Sequence, residues 1–147
     1  MKIYLVLLMF VIGAVLALHL SMNAQVGVIL RNPKVGNAVF WVIGAITAII
    51  IGLTAHDSES LNRLKDVPLW LLTAGAIGAT LVFGIAWAIP QLGAAPAFLL
   101  MIAGQVVAGM VFSHYGLLGS PIEPISWIKV LGVILLISGA GIVSFAK

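Results

Sequence analysis

Five long apolar runs, none with a charged side chain in its core, leave this chain very few ways to fold. They extend from about Ile3 to Leu30, Val35 to Ala55, Pro68 to Ile89, Leu92 to Ser113 and Ser126 to Ala146. Each is about 20 residues or more, the length an α-helix needs to cross about 30 Å of hydrocarbon. Membrane barrel strands instead show alternating segments of about ten residues, a pattern these continuous runs lack. The runs therefore predict an all-α membrane protein, a bundle of five transmembrane helices forming one domain over residues 1–147.

Composition decides what covers those helices. Only 7% of the 147 residues are charged and 63% are hydrophobic, with a mean hydropathy of +1.25. A soluble domain carries about 25% charged residues because its surface faces water. Seven Lys/Arg and four Asp/Glu cannot clothe a globule of this size, so lipid is the expected outer solvent. Polar residues, Pro and Gly punctuate the runs. Arg31, Asn32, Pro33 and Lys34 close the first, and His56 to Asp66 forms the one truly hydrophilic stretch. Pro68 suits a first helical turn. Pro90-Gln91-Leu92-Gly93 reads as a turn, and Gly116, Gly119, Pro121 and Pro124 mark the last loop. A competing reading makes the first run a secretory signal peptide after Lys2. It lacks a clean cleavage site, and four more spans follow it.

Several chemistries are excluded. There is no basic run or aromatic-basic patch to follow a phosphate backbone, so no nucleic-acid partner is expected. The chain has no cysteine. His19, His56 and His114 lack metal-ligand spacing, no Ser, His and Asp converge on a triad, and the glycines follow no phosphate-loop pattern. Neither an enzyme, a metal nor a cofactor is predicted.

Charge distribution bears on orientation. Five crossings put Lys2, Arg63, Lys65 and Lys129 on one side and Arg31, Lys34 and Lys147 on the other. That is a weak bias for insertion governed by Lys and Arg. It predicts either a cytoplasmic N-terminus or insertion in both orientations. Two opposed copies, an antiparallel homodimer, reproduce the inverted repeat on which many transporters are built, each chain supplying half.

Polar side chains within the spans are the candidate functional groups. No carboxylate lies in a span core, which argues against the simplest proton-coupled or cation-coupled mechanism. The first span carries His19, Ser21, Asn23 and Gln25, the second Asn37 and the fourth Gln105. His19 and Asn23, four apart, share a helix face. An amide facing lipid is costly, so Asn23 and Gln105 should face protein or a cavity. The plain alternative for each is an interhelical hydrogen bond that fixes packing. His19 is either a packing side chain or a proton-binding group, and His114 sits at the interface with Tyr115. Trp70 and Trp127 fit an interfacial aromatic belt, whereas Trp41 and Trp87 lie deeper and are candidate ligand-facing rings. The expected substrate-binding set is His19, Asn23, Trp41, Trp87, Gln105 and His114. Gly44/Ala48/Gly52, Gly75/Ala79, Ala74/Gly78 and Gly104/Ala108 form small-residue stripes suited to close helix approach.

An ordered set of short motifs carries a resemblance. It comprises Asn23-Ala24-Gln25-Val26-Gly27, Pro68-Leu69-Trp70, Ala74-Gly75-Ala76-Ile77-Gly78-Ala79, Pro90-Gln91-Leu92-Gly93, Gly104-Gln105 and Ser113-His114-Tyr115-Gly116-Leu117-Leu118-Gly119. Together these resemble the YdcZ-type inner-membrane proteins, a five-helix branch of the drug/metabolite transporter superfamily, across essentially the whole chain. The resemblance implies a multi-pass protein of the bacterial inner membrane. Relatives of this type occur as single five-helix proteins, opposed pairs and fused ten-helix chains. One departure stands out: where the family often has Asp-His-Phe-Gly, this chain has Ser113-His114-Tyr115-Gly116, so a coupling role for that Asp is not carried over. The expected function is a small secondary transporter subunit moving a small organic metabolite or cation, outward, as an antiparallel dual-topology homodimer. A dual-topology passive ion channel and a non-transporting membrane scaffold are the alternatives.

Overall fold

The computed structural model describes residues 2–55 and 57–145. Among them the chain is helical, with no strand. Five helices are long and apolar enough to cross a membrane: Ile3–Ile29, Pro33–Leu53, Leu69–Leu92, Ala94–Tyr115 and Trp127–Phe145. His56, the Ala146 end of the fifth run and Lys147 lie outside the described residues. The helices are α1 (Ile3–Ile29), α2 (Pro33–Leu53), a short α3 (Ser58–Asn62), α4 (Leu69–Leu72), α5 (Ala74–Leu92), α6 (Ala94–Tyr115) and α7 (Trp127–Phe145). They pack as two units, residues 1–91 and 92–147.

In the first unit, α1 and α2 form a tight hairpin. Asn32 caps α2, its side-chain oxygen accepting the N–H groups of Lys34 at 3.1 Å and Val35 at 3.3 Å. Pro33 is then the first helical residue, a position where its missing N–H costs nothing. The second helix therefore starts two residues before Val35, inside the polar run that reads as a break. Arg31 takes a left-handed φ of 50° to turn the corner. Just past the turn the two backbones meet: a Cβ on Gly36 would sit 2.8 Å from the Gly27 Cα. Only glycine tolerates that approach.

The third span contains α4 and α5, separated at Thr73, whose hydroxyl donates to the Trp70 carbonyl. It runs through Pro90 to Leu92, past the turn expected there. Pro90 has no N–H to give the Ala86 carbonyl, and the Gln91 side chain donates to the next carbonyl, that of Trp87, at 2.8 Å.

In the second unit α6 packs on α7, burying Ala103 and Ala140. Gly116 ends α6 in the left-handed conformation, φ 64°, with its N–H on the Phe112 carbonyl, a common helix stop. The 117–126 loop is tied back to α6. Glu123 N–H donates to the Ser113 carbonyl at 2.9 Å, and Ile125 N–H donates to His114 Nδ1 at 3.2 Å. Lys129 at the start of α7 pairs with Glu123 at 3.0 Å.

Most span residues are exposed, large ones such as Leu7, Phe10, Ile51 and Leu135 included. Among the described residues, buried side chains are few and mostly small: Leu20, Ala24, Ala86, Ile89, Ala103 and Ala140, with Asn23 the one polar member. Such a thin core suits helices whose outer faces meet lipid, where close packing rather than escape from water drives association.

Candidate functional site

Asn23 stands out because α1 buries it to 2% exposure and gives neither amide atom a hydrogen-bond partner. A buried polar group without a partner costs about 1–3 kcal/mol, and native structures keep few of them. Leu20, Ala24 and Gly27, on the same face of α1, are buried with it. His19, one turn away, is exposed, its ring 4.7 Å from that of Phe40. The shared face thus places His19 near Asn23 without a hydrogen bond between them.

Two further unpaired atoms belong to α2. Asn37 Nδ2 donates to the Ala79 carbonyl at 3.3 Å, while Asn37 Oδ1 and Trp41 Nε1 are buried without partners. The Trp41 ring lies against Gly78, where a Cβ would come within 3.7 Å of it. Asn37 and Trp41, four residues apart, both face α5. Lys34, three residues before Asn37, continues this stripe to the start of α2 and lines a cavity of about 320 Å³ with Asn37, Ala79, Thr80 and Phe83. Sequence reasoning chose Trp41 but left Asn37 and Lys34 out of the site. Their i, i+3, i+7 spacing is the signal that marks them.

A second groove of about 330 Å³ runs between α1 and α5. Ala24, Gly27 and Arg31 line one wall, Ala86, Trp87 and Pro90 another. Trp87 is exposed along it. In the second unit, Gln105 is exposed on α6 and half-buried His114 holds the loop through Nδ1. That acceptor role requires an Nδ1 without a proton. Trp70 and Trp127 are exposed at span ends. Of the expected set, His19, Asn23, Trp41 and Trp87 lie in the first unit, on three helices, and Gln105 and His114 lie in the second. Among the described residues no group of three His, Asp or Glu is placed to hold a metal.

The family described as "Putative inner membrane exporter, YdcZ", of the drug/metabolite transporter type, matches residues 4–142. The chain belongs to this family, and with five apolar helices it is a multi-pass inner-membrane protein of a transporter class. No curated protein and no solved structure matches it.

Proposed function

We propose that this member of the exporter family is one half of a secondary transporter, carrying a small organic metabolite or cation outward as an antiparallel, dual-topology homodimer. The observation that carries the reading is Asn23, a fully buried amide with no partner for either atom in a chain of an exporter family. A packing role would leave Asn23 hydrogen-bonded to another helix; a substrate role leaves its atoms free until a solute arrives. Exposed Gln105 supports the dimer, since an amide on a spanning helix needs a protein or aqueous neighbour rather than lipid. In a pair of opposed copies each position occurs twice, around a cavity near the membrane midplane.

In this reading, Asn23 and Gln105 replace part of the solute's hydration shell, and Trp41 or Trp87 offers a ring face to an apolar or cationic part. His19 and His114 border the path. The test is solute flux into liposomes holding the purified protein. Asn23→Ala and Gln105→Ala should each weaken binding by about 1 kcal/mol or more with the dimer intact. A channel would show flux without countertransport. Parental binding and flux in both amide variants would return Asn23 and Gln105 to a packing role.

A further inference from the structure

The hydrophilic stretch between the second and third spans carries two leucines, Leu61 and Leu64, and both are largely exposed. They lie three apart on the segment made of α3 and a 3₁₀ turn over Arg63–Asp66, so they share a face. Helical geometry puts Glu59 and Arg63, an exposed ion pair, on the opposite face. The segment is therefore amphipathic. Its leucines turn toward α2: with Ile49 and Leu53 they line a groove of about 630 Å³. Asp57 and Ser60, hydrogen-bonded to each other, form its polar edge. The depth of the groove follows from α2. Its 21 residues rise about 31 Å, matching about 30 Å of hydrocarbon. Leu53 thus ends at the hydrocarbon boundary, and Ile49 lies about 6 Å inside it. Leucines that share a groove with Ile49 sit at that boundary too, although their neighbours in sequence are polar.

We propose that the Ser58–Asp66 segment is an interfacial anchor, lying along the bilayer surface with a phospholipid acyl chain in this groove. The acyl chain covers Leu61, Leu64, Ile49 and Leu53, the lipid headgroup lies at the level of Asp57 and Ser60, and Glu59 and Arg63 stay in water. Lipid is the occupant because the groove opens on the flank of a membrane span. Its apolar wall is continuous with a surface that lipid already covers. The segment is also tethered at both ends, by the Pro33–Leu53 and Leu69–Leu92 spans. It therefore reaches the interface without a separate recruitment step, and burial of its apolar face holds it there. The inference concerns lipid alone and stands whatever solute the protein carries.

The chain has no cysteine, so Leu61→Cys, Leu64→Cys, Glu59→Cys and Arg63→Cys can each carry one nitrobenzoxadiazole dye. The labelled proteins are placed in nanodiscs, where both membrane faces are open to solution. Dyes at positions 61 and 64 should emit to the blue of those at 59 and 63. They should lose most of that emission when phosphatidylcholine with brominated acyl chains replaces the ordinary lipid. Dyes at 59 and 63 should instead be quenched by aqueous iodide. All four side chains are exposed, so the variants should melt like the parent. Equal iodide quenching at all four positions would overturn the proposal and put the segment in water. Protection of 61 and 64 from both quenchers would overturn it in favour of a protein neighbour, a second copy foremost. Proteolysis gives a reading without a dye. Trypsin should cut after Arg63 and Lys65 slowly in the parent, and many-fold faster in the Leu61→Ser, Leu64→Ser double variant. A parental cleavage rate in that variant would also overturn the anchor.

Discussion

Asp57 shows how a single side chain outside the membrane organises its surroundings. The Ser60 hydroxyl donates to its carboxylate, and so do the backbone N–H groups of Ser60 and Glu59, each at 3.1 Å. These bonds, the Ser60 hydroxyl foremost, hold its pKa below the ordinary value of 3.8. A lowered carboxylate pKa makes the cap fully effective above about pH 4 and weakens it as pH falls through the depressed value. Amide-exchange protection at Glu59 and Ser60 should therefore be constant at neutral pH and fall only in that acid range, while Asp57→Ala should lose it throughout. Asn23 supports a second expectation at this scale. Asn23→Val removes two unpaired polar atoms with little added bulk, so the unfolding midpoint should rise, by about 1 kcal/mol of stability, while solute flux is lost. A destabilised variant would mean that Asn23 has a packing partner after all. That Asn23 avoids lipid is legible in the sequence, because a buried amide is cheaper than one in hydrocarbon. That its two atoms are unpaired is not, since the partners of a side chain come from other helices. His114 is a related case: it looks like an interfacial histidine, and its bond to Ile125 depends on a loop whose path the sequence does not give.

Among the elements, the five spans are readable because lipid demands both length and apolarity of each helix. Their ends are less so. Pro33 and Pro90 both look like breaks, yet one begins a helix and the other lies within one, since proline is tolerated at a first turn and within membrane helices where neighbouring groups adjust. The small-residue stripes are used only in part: a Cβ on Gly78 would meet the Trp41 ring at 3.7 Å, and the Ala79 carbonyl accepts from Asn37. Gly44, Gly52, Gly75 and Gly104 have open space where a Cβ would go, and the closest backbone approach is instead Gly27 on Gly36. Spacing finds faces that permit contact; it does not say which ones are used. The two kinds of glycine should respond differently to alanine. Gly36→Ala forces a methyl against the α1 backbone and should cost about 1–3 kcal/mol, as overpacking does. Gly44→Ala, with nothing within 4 Å, should be neutral or slightly stabilising through helix propensity. Thermal unfolding of both variants in one detergent provides the comparison, and equal midpoints would remove the hairpin contact as a source of stability.

The whole molecule poses the question of orientation, where charge and helix number meet. Lys2, Arg63, Lys65 and Lys129 oppose Arg31, Lys34 and Lys147 across five crossings, a margin of one cation. Insertion follows Lys/Arg bias near the spans, so so small a margin should leave both orientations populated. Reporter fusions at the C-terminus should then report cytoplasmic and external populations together. Two or three extra Lys residues beside Lys147 should force the C-terminus into the cytoplasm, and removing Lys147 and Lys34 should favour the opposite. If opposed copies form the transport unit, each biased variant alone should lose most solute flux, and coexpression of the two should restore it. Restoration is the decisive result, because a variant that merely misfolds cannot be rescued by a partner that is also inactive alone. A parental protein found in one orientation, or a biased variant fully active by itself, would leave the five helices as a transporter in their own right and remove the antiparallel pair.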